Sequence, residues 1–422
     1  MKILLIEHMA WMTMLAHEWK LVGAEIIRVP LDIPALVKAP ALRDTAARSI
    51  ADALRAHEPH LVIDVNAAGI LPLDPDARHW TNQESQAPWC VWWWDAPHIG
   101  VCPLRRAGEE AAFFHALRHP MTVHFCWDPV LAREYTGWFG SPVGALPTAT
   151  HPGYFHPDAA AQSSRSFPPV DLCFLGTHYP PAPDPTLPDI ETLAQARISQ
   201  PLLALDELIL QASNPSPRGR TLIQSARLHA SGAFNDRWRA YRELIDQQVG
   251  FHRRSRPLQA LRERIPSRYF AGHGWPEAFH ADPQACYQPA HLAALYRQAR
   301  FCLDLKNAQS HTGAAMRSYE IMACGGVLVC LEAPDFDPAG ALKDHVYLLY
   351  PSIDALIEGL RERRDDIRGL TAIRENARHY ALEHHAWHHR LHALLSHLSR
   401  ATAPPPTPPA APLSKSLKEA PS

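Results

Sequence analysis

No CxxC pair occurs in the chain, and its eight cysteines, at positions 90, 102, 126, 173, 286, 302, 324 and 330, lie mostly inside apolar runs such as VHFCW and DLCFLG. That scatter excludes a disulfide framework and predicts reduced, buried thiols in a cytoplasmic protein. Long hydrophobic runs are missing too: no segment offers the ~18 uninterrupted apolar residues of a membrane span. The N-terminal MKILLIEHMAWMTMLAHEWK meets Glu7 and His8 after a short apolar run and has no small-residue cleavage site, unlike a signal peptide. An excess of either charge is absent, with a formal net charge of −2. No global field therefore recruits nucleic acid, although peripheral contact with a membrane stays compatible. No GxGxxG follows the first strand, which argues against a dehydrogenase, and the absence of GxxxxGK[ST] removes the P-loop class.

What is present is alternation. ILLIE, EIIRV, HLVIDV, PWCVWWWD, MTVHFCWD and VGALPTA are short apolar runs, separated by the amphipathic stretches WMTMLAHEWKLVG, ALRDTAARSIADALRAHE, AGEEAAFFHALR and PVLAREYTGWF. This predicts βαβ units and a parallel sheet over residues 1–155. The stretch HPGYFHPDAAAQSSRSFPPV lacks apolar periodicity and reads as a linker, 156–169. A second series then opens at VDLCFLGT and continues through RYFAGHGW, FCLDLK, VLVCLE and VYLLY, predicting a second α/β domain over 170–385 with a helical elaboration at 188–265. A long helix through IRENARHYALEHHAWHHRLHALLSHLS, closing the fold at 386–400, precedes a Pro-rich tail, 401–422, expected to be disordered.

RSYEIMACGG, between FCLDLK and VLVC, carries the densest chemistry. If LDLK is a strand and MRSYEIMACG a helix, the loop NAQSHTGA brings Thr312 and Gly313 to a helix N-terminus with free N–H groups, a ready anion site. Lys306 and Arg317 add positive charge beside a phosphate, and Glu320 is spaced to accept hydrogen bonds from the vicinal hydroxyls of a ribose. An i,i+3 surface pair of Arg317 with Glu320 accounts equally for the spacing. WWWDAPH places Asp95 and His98 at the carboxyl edge of a strand, where open α/β sheets bind ligands; a turn-capping role for Asp95 fits as well. Asp128, in CWDP, reads as a helix cap before Pro129. The histidines 384, 385, 388, 389 and 392 lie at i,i+4 spacing on one helix, with no carboxylate or cysteine set to complete a metal site.

In order along the chain, PWCVWWWDAPH, VHFCWD, LPTATHPGYFHP, VDLCFLGT, LYRQARFCLDLK, RSYEIMACGGVLV, DHVYLLYPSIDALIEGL and HHAWHHRLHALL resemble the CgeB-like, spore maturation protein type, family of GT-B glycosyltransferases. The resemblance implies two Rossmann-like domains facing across a cleft, an acceptor on the first and a nucleoside diphosphate sugar on the second. It implies that Gly176 and Thr177 form the donor-side glycine turn and that Glu320 binds the donor ribose. Apart from the resemblance, Gly272 in RYFAGHGW reads as a glycine turn after a strand, which fits a place under the nucleotide base and equally a plain strand-ending turn. Related enzymes often carry a second glutamate where this chain has Thr312. Asp95 or His98 would serve as general base in an inverting transfer. The DxD spellings at 74–76 and 335–337 sit in Pro-containing loops and read as turns. The diphosphate is then met by Lys306, Arg317 and the helix terminus, with neither a metal nor a cofactor. A nucleotide-sugar epimerase and a non-catalytic sugar-nucleotide binding protein remain the alternatives.

Overall fold

The computed structural model describes residues 1–39, 41–70, 87–95, 116–180, 244–282 and 288–401. His98, the 74–76 motif, the helical AGEEAAFFHALR up to residue 115, the elaboration from 188 to 243 and the tail from 402 onward lie outside the described residues.

Two parallel sheets carry the chain, as the alternation predicts. The first joins β1 (Lys2–Glu7), β2 (Glu25–Pro30), β3 (Leu61–Val65), β4 (Trp89–Trp93), β5 (Thr122–Cys126) and β6 (Val143–Ala145) in the order β2-β1-β3-β4-β5-β6. The second joins β7 (Val170–Leu175), β8 (Arg268–Ala271), β9 (Ala299–Asp304), β10 (Leu328–Cys330) and β11 (Leu348–Leu349) in the order β11-β10-β9-β7-β8. Both faces of each sheet are covered, which is why the strands read as near-continuous apolar runs. Leu4 and Ile6 enter one core with Val62 and Val91, whereas Ile3 and Leu5 enter another with Leu61 and Ile63. Six described cysteines are free and buried.

The helices named below are α1 (Met12–Leu21), α2 (Ile33–Lys38), α3 (Leu42–His57), α4 (Pro129–Phe139), α5 (Arg256–Arg264), α6 (Pro289–Gln298), α7 (Met316–Ala323), α8 (Ile353–Arg363), α9 (Ile367–His384) and α10 (Trp387–Ala401). Strand order reverses between β1 and β3 and again between β7 and β9, so each sheet has a crevice at those carboxyl ends. The segment expected to be a linker is packed rather than loose: Phe155, Ala159 and Phe167 enter the core of the second domain beside α6.

The expected single closing helix is two. Its apolar period runs unbroken through the sequence, but α9 ends at His384 and α10 begins at Trp387. Thr150 pairs with Ala386 at the break: its N–H donates to His385 O at 2.8 Å, and Trp387 N–H donates to Thr150 O at 3.2 Å. The break returns α10 to the first domain, where Trp19 Nε1 donates to Trp387 O at 2.9 Å and His388 meets Glu18 at 2.7 Å. The histidine run is thereby used in packing; His385 stacks on Tyr319, with centroids 4.4 Å apart. Among the described residues, no helix is long and apolar enough to cross a membrane.

Candidate active site

The carboxyl ends of the two sheets face each other across a cleft of about 890 Å³, lined from the first domain by the β1–α1 loop and the ends of β4 and β5, and from the second by Gly176, Thr177, Arg254 and the start of α7. A cavity of this size is in the range that holds small organic ligands.

On the second-domain wall, α7 begins at Met316 with Ala315 as N-cap, and no side chain caps it. Ala315, Met316 and Arg317 all line the cleft, so the positive end of the helix opens into it. The Arg317 guanidinium donates to Leu175 O at the end of β7. Glu320, one turn on, lines the same cleft with 5% of its surface exposed. The pair is thus turned into the cleft rather than spread on an outer helix face. Burial pushes the Glu320 carboxyl up to about 7; Arg317 pulls the other way, and the Asp304 charge adds to the rise.

The anion site expected at Thr312 and Gly313 is occupied by the protein itself. Asp128 Oδ2 accepts hydrogen bonds from the N–H groups of His311, Thr312 and Gly313 at 2.7, 2.9 and 2.8 Å, while its Oδ1 caps α4 through Val130 and Leu131. Ala314 N–H donates to Asp335 Oδ1 at 2.8 Å. The helix therefore starts three residues later than Gly313, and the donors before it are consumed by two carboxylates. Gly313 is required by close approach, since a Cβ there would lie 2.7 Å from the Trp127 ring of the opposite domain.

Lys306 serves this loop and does not face the cleft. Its ammonium donates to the carbonyls of His311, Thr312 and Ala333 at 3.0, 3.1 and 3.0 Å, and burial lowers its pKa. Asp337 binds the N–H groups of Ala341 and Leu342, so the 335–337 motif is a turn as read. Gly272 stands behind Gly176 and outside the cleft lining; with φ +127, it lets its backbone pass where a Cβ would come 2.2 Å from Gly176 O.

Arg254 is the residue that sequence reasoning missed. It lies in a π-helical turn, Phe251–Ser255, that leads into α5. The widened turn sends the two neighbouring arginines to different tasks. Arg253 reaches behind the loop to Ser310 O and to Glu332, at 3.2 Å from the latter. Arg254 comes forward to the cleft, donating to Leu305 O at 2.8 Å and to Thr177 O at 3.4 Å, with Tyr179 5.7 Å from its guanidinium carbon. The adjacent pair RR in a segment of otherwise helical pattern was the available signal.

On the opposite wall, Asp95 lines the cleft at the end of β4 and accepts a hydrogen bond from Asn66 Nδ2 at 2.8 Å. Asn66 Oδ1 in turn accepts the N–H groups of Trp94 and Asp95 at 2.7 and 2.9 Å. Asp95 thus faces the arginines across the cleft with its backbone fixed from behind.

Residues 253–396, about a third of the chain, match the profile of a family described as "Glycosyl transferase-like". No curated relative matches the sequence. Among solved structures, the chain is similar to a sucrose-phosphate synthase from Thermosynechococcus elongatus, with 13% identity, a TM-score of 0.49, and 95% of this chain and 100% of that one covered. It is similar also to a glycosyltransferase from Rickettsia africae, with 11% identity, a TM-score of 0.46, and 95% and 98% covered. HepE of Anabaena, solved in complex with UDP-glucose, has 11% identity and a TM-score of 0.47, with 95% and 100% covered.

Proposed function

We propose that the protein is a glycosyltransferase that moves a sugar from a nucleoside diphosphate to an acceptor hydroxyl, with the donor on the second domain and the acceptor on the first. The observation that carries this reading is the convergence of the uncapped α7 terminus, Arg254 and Arg317 on one face of the cleft, with the buried carboxylate of Glu320 a turn beyond them. Positive groups at that spot suit a diphosphate, and a carboxylate beside them suits the ribose hydroxyls. The match of residues 253–396 to a glycosyl transferase-like profile supports the same wall as the donor side. The narrower kinship with CgeB-like proteins rests on the order of the motifs quoted above, and a cytoplasmic setting on the free, buried cysteines.

In the transfer, the bond between the anomeric carbon and the phosphate oxygen breaks, and the diphosphate leaves with the electron pair. The acceptor oxygen bonds to that carbon, and its proton passes to Asp95. Arg254, Arg317 and the helix terminus take up the charge that gathers on the leaving diphosphate. Neither arginine is the group that recognises the base or ribose, so nucleoside recognition and leaving-group stabilisation divide between different residues.

Isothermal titration with UDP, GDP, ADP and dTDP tests the donor site. One of the four should bind, and Glu320→Ala should weaken it roughly tenfold or more, as expected when hydrogen bonds to a charged group are lost. A nucleotide that binds both proteins equally removes Glu320 from the site; no binding by any of them removes the proposal.

The raised pKa of Glu320 adds a pH dependence whose sign is fixed. Above about 7 the carboxylate accepts from both ribose hydroxyls, whereas below it the protonated acid loses one acceptor. Affinity for the parent nucleoside, which has no titrating phosphate, should therefore rise severalfold from pH 6 to pH 8, and the rise should vanish in Glu320→Gln. A flat profile in the unaltered protein counts against the ribose contact.

A further inference from the structure

The first-domain wall of the cleft is one-sided in its chemistry. Trp11, at the start of α1, and Trp94, at the end of β4, lie with ring centroids 3.6 Å apart and planes 9° from parallel. Both are half-buried and both line the cleft, together with Met9, Met14 and Trp127. The buried Trp387 of α10 stacks against the two rings at 5.7 and 5.5 Å, and Trp92 meets Trp94 edge-on at 5.4 Å. Packing of this kind fixes the pair before any ligand arrives.

Charge is distributed unevenly over the same cleft. Among the described residues lining the first-domain wall, Asp95 is the one charged side chain, and the cations Arg254 and Arg317 both belong to the opposite wall. An acceptor carrying a phosphate or carboxylate would set that anion against Asp95, across from arginines already engaged by the donor. An acyl chain asks for an enclosed apolar groove, yet the cleft that the indoles line is also lined by Thr13, Thr148, Asn307 and Gln309. A pyranose fits both features. One of its faces presents C–H groups to the electron-rich face of an indole, and its rim of hydroxyls needs hydroxyl, amide and carboxylate partners.

We propose that Trp11 and Trp94 form a platform on which a neutral pyranose acceptor stacks, with one hydroxyl turned to Asp95. The assignment rests on the transfer reading above and names its acceptor class. Asn66, in the left-handed region at φ +55, ties the two parts together, because its side chain holds the backbone of Trp94 and both the backbone and the carboxylate of Asp95. One side chain thus fixes the backbone of Trp94 and the position of the base together.

The test uses the full chain saturated with whichever nucleotide binds in calorimetry. Methyl α- and β-pyranosides of glucose, galactose, mannose and N-acetylglucosamine, with glucose 6-phosphate and N-acetylneuraminic acid as charged probes and octyl phosphate as the lipid-like one, are examined by saturation-transfer NMR. At least one neutral pyranoside should bind through the C–H groups of one ring face. Trp11→Ala should weaken it about tenfold, Trp11→Phe only severalfold, and nucleotide affinity should be unchanged in both, which certifies folding. Stronger binding of a charged or lipid-like probe, no neutral pyranoside bound while nucleotide is bound, or an unaltered affinity in Trp11→Ala each overturns the platform. Failure of the nucleotide titration itself overturns the transferase reading instead, so the two failures are read separately.

Discussion

Replacing Arg317 by alanine is expected to lower kcat/KM for the nucleotide sugar by 10²- to 10³-fold, on the order of 2.7–4 kcal/mol of transition-state stabilisation, while leaving affinity for the free nucleoside nearly unchanged. The split follows from position. Arg317 stands at the open end of α7 beside Gly176 and Thr177, where the diphosphate would lie in the proposed transfer, whereas the buried Glu320 a turn further along would take the ribose contact. The diphosphate is already charged in the bound sugar nucleotide and gains further charge as the glycosidic bond lengthens, so the loss should appear in kcat as well as in sugar-nucleotide binding, but not in binding of the uncharged nucleoside. Arg254→Ala should behave in the same way through its own place on that wall. Because Arg317 also donates to Leu175 O, Arg317→Lys serves as control: it keeps a charge but not the fork, and should recover part of the rate. Release of nucleoside diphosphate, with a neutral pyranoside or water as acceptor, gives the rates. Equal losses in nucleoside binding and turnover would sink the assignment.

The sheets were legible because each strand is buried on both faces, and a run such as ILLI has no other way to satisfy that environment. Glu320 and Arg317 were legible because helix spacing alone places them near one terminus. Three features were not. The break at 385–386 leaves the apolar period intact and is imposed by pairing with Thr150, over 200 residues away. The occupant of the 311–313 amides, Asp128, is supplied from the other domain, and nothing in NAQSHTGA records it. Arg254 escaped because it lies in a π-helical turn, a departure from regular winding that the helical pattern of the segment does not record. In each case the missing information was tertiary, a partner distant in sequence or a departure from ideal helical winding. The sequence motif marked the loop but not that its donors at 311–313 were already spent.

Asp128→Asn should cost about 3–5 kcal/mol, far more than a conservative exchange of one helix cap for another. As a cap alone, asparagine is as good as aspartate, and even Asp128→Ala would lose only ~1 kcal/mol. The larger figure comes from the other oxygen. Asp128 has no exposed surface, and its Oδ2 is the acceptor for three N–H groups of the opposite domain. An amide in its place must either turn an NH₂ toward those donors or surrender the cap to keep its oxygen there. Each buried donor left unpaired costs about 1–3 kcal/mol, and the loss falls on a loop that Lys306 and Arg253 hold from behind and cannot release. Urea unfolding should show the lowered midpoint, and hydrogen exchange should show amides 311–313 losing protection ahead of the strands around them. If the midpoint moves by less than ~0.5 kcal/mol and those amides stay protected, Asp128 is only a helix cap. If both change as expected, the carboxylate that fills the nest is what ties the 311–313 loop of the second domain to the start of α4 in the first.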